Sequence, residues 1–411
     1  MSIFDEQPKP TAPLAFHRIL FPTASVKVSP ICLGGISIGK SWSGLFGENQ
    51  DPYSLLDAFY NLGGNFIDTS NIYNSEESER LIGSWMQERG IRDQMVVATK
   101  YTVGYKNHDH ETWKLQSNYG GNSVKSMHIS VRESLQKLKT DYIDLLYVHF
   151  WDFGTSIEEV MRGLHSFVME RKVLYLGVCN TPAWVVVKAN MFARQHGLTP
   201  FSVYSGNWNL AKRDLEAEII PMCESEGMGV VPWGALGSGN LLSKEQREKR
   251  EKTEGARKLR PLKEGDVRIS EVVERIAREK GTTFQAVVSS ERNTYQLDEK
   301  KECADTLILQ VLAYLFQQTT YVIPIVGVNT VAHVNAMPDA LGIRLSTAEL
   351  RALYEASDFR PQFPMDFLFD FRGDRTYHLG LVATEHNQQY TMASRVQGPP
   401  RPKVSSNILK L

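Results

Sequence analysis

Four side chains able to donate, accept or stabilise a proton follow the ends of strand-like segments. Asp68 ends one apolar run, and Tyr73 comes five positions later (73 minus 68). Lys100 follows a second such run, and His149 ends a third. A carboxylate at the mouth of a buried strand needs a cation nearby, because an unpaired charge in a low-dielectric interior is strongly disfavoured. We therefore expect these four groups to meet at one rim.

Each of the four also has a purely structural interpretation when it is taken alone. Asp68 can cap a helix and Tyr73 can be a half-buried core aromatic. Lys100 can be a surface charge, and His149 can be a buried group with satisfied hydrogen bonds. The functional interpretation is favoured because all four fall at or just beyond the ends of the second, third and fourth predicted strands.

The elements that must position these residues alternate along the chain. After a predicted N-terminal hairpin at 17–28, strand-like runs occur at 31–35, 65–69, 95–99, 142–149, 173–178, 201–204, 228–232 and 321–328. Helical patterns occur at 52–62, 77–88, 124–137, 157–171, 182–195, 215–226 and 267–280. This alternation predicts an α/β fold with a parallel sheet, and eight strands close into a (β/α)8 TIM barrel whose chemistry lies at the C-terminal strand ends.

An open, doubly wound sheet is the alternative fold. It would place a glycine-rich phosphate turn after the first strand, but the segment 34–39 reads GGISIG and lacks the G-x-G-x-x-G spacing. The barrel is therefore favoured.

Composition favours small-molecule chemistry. The 411 residues include 46 basic and 47 acidic ones, so the net charge of -1 provides no field that would attract nucleic acid or an anionic membrane. The polar N-terminus has no apolar targeting core, and no run of ~18 apolar residues occurs, so we expect a cytoplasmic protein. Cys32, Cys179, Cys223 and Cys303 lie far apart, which predicts free thiols and no metal site.

Several ordered motifs resemble the aldo-keto reductase family. They are 63–73 (GGNFIDTSNIY), 98–100 (ATK), 141–149 (DYIDLLYVH), 177–180 (GVCN), 231–239 (VPWGALGSG) and 323–327 (IPIVG). The resemblance covers about residues 16–358. Within the family the chain is most similar to the fungal branch that contains aryl-alcohol dehydrogenases and norsolorinic acid reductases, on the basis of 148–152 (VHFWD), 207–209 (NWN) and 388–393 (QQYTMA).

The resemblance implies an oxidoreductase that interconverts a carbonyl and an alcohol with a nicotinamide cofactor, NADP(H). Tyr73 would be the proton donor, because reduction builds negative charge on the carbonyl oxygen. Lys100 would lower the pKa of the phenol, and Asp68 would keep Lys100 charged and oriented. His149 would donate a hydrogen bond to the carbonyl.

The same resemblance implies a set of cofactor-binding residues. Asn180 would bind the nicotinamide amide, with Cys179 beside it where Ser is usual, and Ser205 stands where the family commonly has Gln. Trp233 would stack on the nicotinamide ring. Gly234, Leu236, Gly237 and Gly239 would cover the pyrophosphate, where small residues let backbone N–H groups approach phosphate oxygens. Gly327 and Asn329 would lie near the adenosine, where Asn329 replaces the usual Arg or Lys.

Aromatic residues near the predicted barrel mouth are candidates for the substrate pocket. They are Trp42, Phe46, Trp113, Phe150 and Trp151. Such residues belong to the core more often than to a pocket. If they share one face, they suit a planar aromatic substrate, such as a polyketide or a benzylic carbonyl.

The domain prediction has three parts: a flexible N-terminus at 1–15, a barrel at 16–358 and a C-terminal extension at 359–411. Within the barrel, 288–310 is charged and aperiodic, and it interrupts a helix whose apolar stripe would otherwise run from Val287 into Val311. We interpret this segment of 23 residues (310 minus 287) as a retained intron of 69 nucleotides (23 times 3).

We therefore expect an NADP-dependent reductase of an aromatic or polyketide-type carbonyl in fungal secondary metabolite biosynthesis. A non-catalytic cofactor-binding barrel is the alternative, either as a channel-associated subunit or as a pseudoenzyme, because fold alone does not choose between them. The oligomeric state and the exact substrate are not predicted.

Overall fold

The computed structural model describes residues 8–47, 50–245, 247–248, 261–280 and 312–368. Its strands are β1 (Arg18–Phe21), β2 (Ala24–Val28), β3 (Cys32–Gly34), β4 (Phe66–Asp68), β5 (Val96–Tyr101), β6 (Ile143–Val148), β7 (Val173–Cys179), β8 (Val203–Ser205), β9 (Gly229–Val230) and β10 (Ile325–Val326). Strands β3 to β10 form one parallel sheet in the order β10-β3-β4-β5-β6-β7-β8-β9.

The sheet closes on itself between β9 and the segment that leads into β10. Val230 forms a parallel bridge with Val322, its N–H donates to the Tyr321 carbonyl over 2.9 Å, and Ile323 N–H donates back to the Val230 carbonyl over 3.0 Å. The predicted (β/α)8 barrel is confirmed. The predicted last strand, 321–328, differs in detail: its first part pairs with β9 and only Ile325–Val326 pairs with β3, because Pro324, between them, has no N–H to give to a ladder.

Seven of the helices lie close to the predicted ones, most with shifted ends, whereas the four at 43–46, 331–336, 347–356 and 365–368 were not predicted. They are α1 (Ser43–Phe46), α2 (Pro52–Asn61), α3 (Glu77–Arg89), α4 (Val124–Lys137), α5 (Ile157–Met169), α6 (Ala183–Gln195), α7 (Ile219–Glu226), α8 (Glu264–Glu279), α9 (Val331–Ala336), α10 (Thr347–Ala356) and α11 (Met365–Leu368). The predicted helix 215–226 splits into a 3-10 turn, Asp214–Glu216, and α7. Side-chain caps begin several helices, for example Ser156 Oγ accepting from Glu159 N–H before α5.

The hairpin β1–β2 closes the lower end of the barrel, as the sequence indicates. Leu20, Ala24 and Val28 are buried in one cluster with inward-facing strand residues such as Phe66 and Leu145. A second, larger cluster fills the layer between the strands and the surrounding helices. The barrel interior is therefore packed below, and only its C-terminal end is free for chemistry.

Three of the predicted segments fall partly or wholly outside the described residues: the suggested insertion, the C-terminal extension, and residues 1–7 of the N-terminal segment. The suggested insertion, 288–310, lies outside them, as does the C-terminal extension beyond residue 368. On either side of the first gap the structure has α8 and a helical stretch at 312–316 whose Leu312 and Tyr314 are fully buried. Within the N-terminal segment 1–15, Leu14 is fully buried and its N–H donates to the Leu62 carbonyl, so packing begins before residue 16.

Within the described ranges, no helix has the length and apolar character needed to cross a membrane. Cys32, Cys179 and Cys223 are buried free thiols.

Candidate active site

The period of two along the strands brings the predicted acid–base groups to one point. Phe66 lies in the cluster of the barrel interior and Ile67 in the outer layer, so Asp68 points inward. On β5, Ala98 faces the interior, and Lys100, two residues further on, does so too. Strand alternation thus explains why a carboxylate and an ammonium from neighbouring strands share the top of the barrel.

Asp68 and Lys100 form a buried ion pair at this level. The Lys100 Nζ lies 2.5 Å from Asp68 Oδ1 and donates to the Thr69 carbonyl over 2.7 Å, and both side chains are almost fully buried. Burial raises the pKa of Asp68, although Lys100 counteracts it. Burial also opposes protonation of Lys100, but the charge of Asp68 counteracts it, and the pKa of the amine is raised. Lys100 is therefore a fixed cation.

Tyr73 lies directly against this cation. The Lys100 Nζ is 4.8 Å from the centroid of the Tyr73 ring. Burial raises the pKa of Tyr73 to about 12, although the Lys100 charge acts in the opposite direction. Lys100 therefore acts on the pKa in the predicted direction, but desolvation outweighs it, so the net pKa of Tyr73 lies above its usual value. The phenol keeps its proton at neutral pH and is available as a donor.

His149 is the fourth member of the group, and its ring lies beside that of Tyr73. The two ring centroids are 6.0 Å apart in an edge-to-face arrangement, and Ser70 Oγ lies 3.4 Å from His149 Nδ1. Burial and the charge of Lys100 together lower the pKa of His149 to about 3. The imidazole is therefore neutral at physiological pH and can donate only one hydrogen bond. The structure brings all four predicted residues together.

A cavity of about 580 Å³ extends from these four residues along the top of the barrel. Of the predicted cofactor-binding residues, those that line it are Asn180, Trp233, Gly234, Leu236, Gly239, Gly327 and Asn329. A cavity lined by a proton donor and by residues that follow the ends of several strands offers the kind of contacts that a dinucleotide needs.

Asn180 and Trp233 form a wall beside the acid–base groups. The Trp233 Nε1–H donates to Asn180 Oδ1 over 3.0 Å, and the Asn180 amide donates to the His149 carbonyl over 3.2 Å. Asn180 has a φ of 47°, a left-handed conformation that Asn tolerates better than most residues. Ser205 lies behind this wall and does not line the cavity, but its carbonyl accepts a hydrogen bond from Asn180 N–H over 3.0 Å. Ser205 thus holds Asn180 in place.

The turn after Trp233 fits a pyrophosphate. Gly237, Ser238 and Gly239 have φ values of 70°, 55° and 84°. A Cβ on Gly237 would meet Leu241 Cγ at 2.5 Å, so only glycine fits there, although Gly237 itself lies behind the cavity surface. Turns of this type direct successive backbone N–H groups outward and bind anions.

The far end of the cavity contains Asn329 and His333 in place of a permanent cation. The Asn329 amide already donates to the Phe46 carbonyl over 2.8 Å, so it ties the α1 segment to the barrel as well as lining the cavity. Among the described residues of the lining, Lys100 is the only Lys or Arg, and it is already paired with Asp68.

The aromatic residues predicted for the substrate pocket lie in different places in the structure. Phe46 lines the cavity, and Trp42 packs on both Phe46 and Tyr73, with centroid distances of 6.1 and 6.2 Å. Phe150 lies next to the His149 ring and is 38% exposed. Trp113 packs against Tyr119, away from the cavity lining. Trp151 is buried in the hydrophobic core, so the prediction that it lines the substrate pocket is wrong.

The structure also reveals residues that the sequence reasoning did not select. Cys179 lines the same cavity as Asp68, Tyr73, Lys100 and His149, and burial raises the pKa of its thiol to about 12. The period of two on β7 was the signal that could have found it. The cavity is also lined by His333, Met337 and Leu312. These residues lie late in the chain and reach the site because the barrel closes.

Comparison with known proteins agrees with this fold. The Aldo/keto reductase family matches residues 30–358, so the chain belongs to the aldo-keto reductases and is an oxidoreductase that acts on carbonyl or alcohol groups.

Among its relatives, norsolorinic acid reductase A of Aspergillus parasiticus is 46% identical over 365 residues, which are 88% of this chain and 86% of the relative. An aryl-alcohol dehydrogenase [NADP(+)] of Phanerodontia chrysosporium is 45% identical over 375 residues, 89% of this chain and 91% of the relative. A norsolorinic acid reductase of Emericella nidulans is 41% identical over 96% of this chain and 95% of the relative.

Proposed function

We propose that this protein uses NADPH to reduce the carbonyl group of an aromatic or polyketide-type substrate, or oxidises the matching alcohol, in fungal secondary metabolite biosynthesis. The observation that carries the proposal is that the buried Lys100–Asp68 pair lies against Tyr73, which packs on His149, and that all four residues line one cavity. The relatives named as norsolorinic acid reductases and as an aryl-alcohol dehydrogenase support the substrate class.

The bound nicotinamide cofactor would supply the hydride. Tyr73 would then give its proton to the oxygen of the substrate, and the negative charge left on the phenol would be stabilised by Lys100. His149, neutral because its pKa is lowered to about 3, would donate a hydrogen bond to the same oxygen without competing as an acid. Asp68 would keep Lys100 charged and in position.

Preference for NADP is supported by the Phanerodontia chrysosporium relative, which is named as an NADP(+) enzyme. At the far end of the cavity, Asn329 and His333 can donate hydrogen bonds to a 2'-phosphate. Neutral donors bind phosphate more weakly than Arg does. We therefore expect NADPH to be preferred over NADH by a modest factor.

An aromatic substrate is supported by the rings around Tyr73. Trp42 and His149 both make edge-to-face contacts with it, and the Phe150 ring lies next to that of His149. Offset or edge-to-face contacts with such rings favour a flat substrate over an aliphatic one of similar size.

The test is consumption of NADPH by the purified protein with a panel of aromatic aldehydes, aryl ketones and aliphatic aldehydes, followed by the reverse assay with benzylic alcohols and NADP⁺. We expect turnover with aromatic carbonyls and a loss of that turnover in Tyr73→Phe. Cofactor binding without turnover on any carbonyl would instead favour a non-catalytic barrel. The biosynthetic role is tested by disrupting the gene and looking for accumulation of an unreduced aromatic carbonyl.

A further inference from the structure

The backbone immediately after Tyr73 is unusual. Asn74, Ser75 and Glu76 have φ values of 51°, 54° and 76°, so three successive non-glycine residues are left-handed. This conformation brings the Cβ atom close to the backbone and costs free energy at each position. Such a turn persists only when the surrounding structure holds it, and its conformation sets the direction of the Tyr73 side chain.

Asn74 holds the first half of the turn. Its amide nitrogen donates to the Ile36 carbonyl over 2.8 Å, and its Oδ1 accepts from Trp42 N–H over 2.9 Å. The turn is thereby tied to the segment after β3, which carries the ring that packs on Tyr73.

Glu76 holds the second half of the turn through its buried side chain. Its carboxylate is 2% exposed and accepts hydrogen bonds from Lys106 Nζ at 2.8 and 3.1 Å and from Lys137 Nζ at 3.1 Å. Lys106 lies in the loop after β5, and Lys137 ends α4. One side chain therefore connects the turn to two other parts of the barrel rim.

Both lysines have a second acidic partner. Lys106 Nζ is 2.8 Å from Glu133 Oε2, and Lys137 Nζ is 2.7 Å from Glu79 Oε2. Glu79 in turn accepts a hydrogen bond from Thr99, the residue before Lys100 on β5. The buried cluster therefore extends from the turn behind Tyr73 to the strand that carries the catalytic cation.

We propose that Glu76 is a positioning residue for the reaction, which fixes the left-handed turn and so holds the Tyr73 hydroxyl at the end of the cavity. Glu76 does not line the cavity and acts only through Tyr73. The inference rests on the proposed function, in which Tyr73 is the proton donor. A displacement of about 1 Å at a reacting group can cost ~10²-fold in rate, so a rigid turn here is valuable.

Glu76→Gln is the informative variant. It keeps the shape of the side chain and removes its charge, and neither lysine is left as an unpaired buried cation, since Glu133 and Glu79 remain. We expect kcat to fall by ~10-fold or more while the dissociation constant for NADPH stays within about 2-fold. Glu76→Asp, which keeps the charge, should restore part of kcat.

A matched control comes from the opposite end of the barrel. Asp144 is 6% exposed and accepts hydrogen bonds from Arg92 and from Val97 N–H at 2.8 and 2.9 Å. Asp144→Asn removes a buried ion pair of the same kind far from Tyr73. It should lower the midpoint of thermal unfolding by an amount similar to Glu76→Gln but leave kcat unchanged at temperatures where both variants are folded.

Unchanged kcat in Glu76→Gln would overturn the inference, and so would a parallel loss of kcat in Asp144→Asn. Absence of turnover in the unmodified protein would instead refute the proposed function. In that case crystal structures still decide the positioning role: we expect Glu76→Gln to leave the left-handed turn and to move the Tyr73 ring away from Lys100. An unmoved ring would refute it.

Discussion

Replacement of Lys100 by Met tests the central electrostatic claim about the site. In the folded protein the Lys100 Nζ lies 4.8 Å from the centroid of the Tyr73 ring and donates a hydrogen bond to the carboxylate of Asp68. Met keeps most of the side-chain volume and removes the charge. The variant should therefore retain the fold of the barrel while losing the cation that stabilises negative charge on Tyr73.

The expected size of the effect follows from that distance. Two unit charges separated by ~5 Å interact by about 3 kcal/mol at an effective dielectric constant near 20. If the phenolate charge is well developed in the transition state, losing this interaction slows kcat by ~10²-fold. The pKa of Tyr73, already raised to about 12 by burial, should rise further, because the cation that opposes the rise is gone.

The assay is single-turnover reduction of an aromatic aldehyde with saturating NADPH, together with NADPH binding followed by quenching of tryptophan fluorescence. A second variant, Asp68→Asn combined with Lys100→Met, separates two causes. Lys100→Met alone leaves Asp68 as a buried carboxylate without its cation, which is strongly destabilising. The double variant removes that charge, so it should be more stable than the single variant and equally slow.

Two results would refute this reasoning. A Lys100→Met variant with normal NADPH binding and more than about half of the original kcat would show that the cation does not stabilise the transition state. Recovery of kcat in the double variant would show that the defect came from the orphaned carboxylate and not from the missing cation.

Tyr73→Phe should lower kcat by ~10²-fold or more with unchanged NADPH affinity, because it removes the proton donor and nothing else; a variant that kept most of the rate would mean that another group donates. His149 has a folded-state pKa of about 3 against 6.5 when unfolded, so between these values the unfolded chain binds the extra proton and acidification destabilises the folded protein. Urea unfolding at several pH values should accordingly show that the free energy of unfolding falls more steeply for the parent than for His149→Gln as the pH falls through this window, by up to ~1.4 kcal/mol per pH unit. Equal slopes for the two proteins would contradict a buried neutral imidazole. Asn329→Arg should raise the preference for NADPH over NADH by ~10-fold through a charge-assisted contact, whereas Asn329→Ala, which loses the same hydrogen bond to Phe46, should not. Sequencing the transcript should show that the 69 nucleotides encoding 288–310 are spliced out, and deletion of that segment should preserve or increase activity; a mature message that keeps them, with a full-length protein more active than the deletion, would reject the intron interpretation.

The sequence alone determined the barrel and the meeting of four candidate acid–base groups at its rim. Both are local properties: the alternation of strand and helix periodicities predicts the barrel, and the period of two along a strand places Asp68 and Lys100 on the inner face. The ends of consecutive parallel strands meet at one edge, so the meeting of these residues with His149 could be expected without coordinates.

Only the tertiary structure decided how these groups behave. The pKa of Tyr73 depends on how completely the chain excludes water from it, and burial outweighs Lys100 although the sequence shows only the cation. Asn329 is already bonded to Phe46, 283 positions away, and Trp151 is packed in the core while its neighbour Phe150 is exposed. Desolvation and long-range contacts are set by parts of the chain that are distant in sequence, so no local pattern carries them. The buried cluster around Glu76 has the same origin, because its lysines come from two other segments, the loop after β5 and α4.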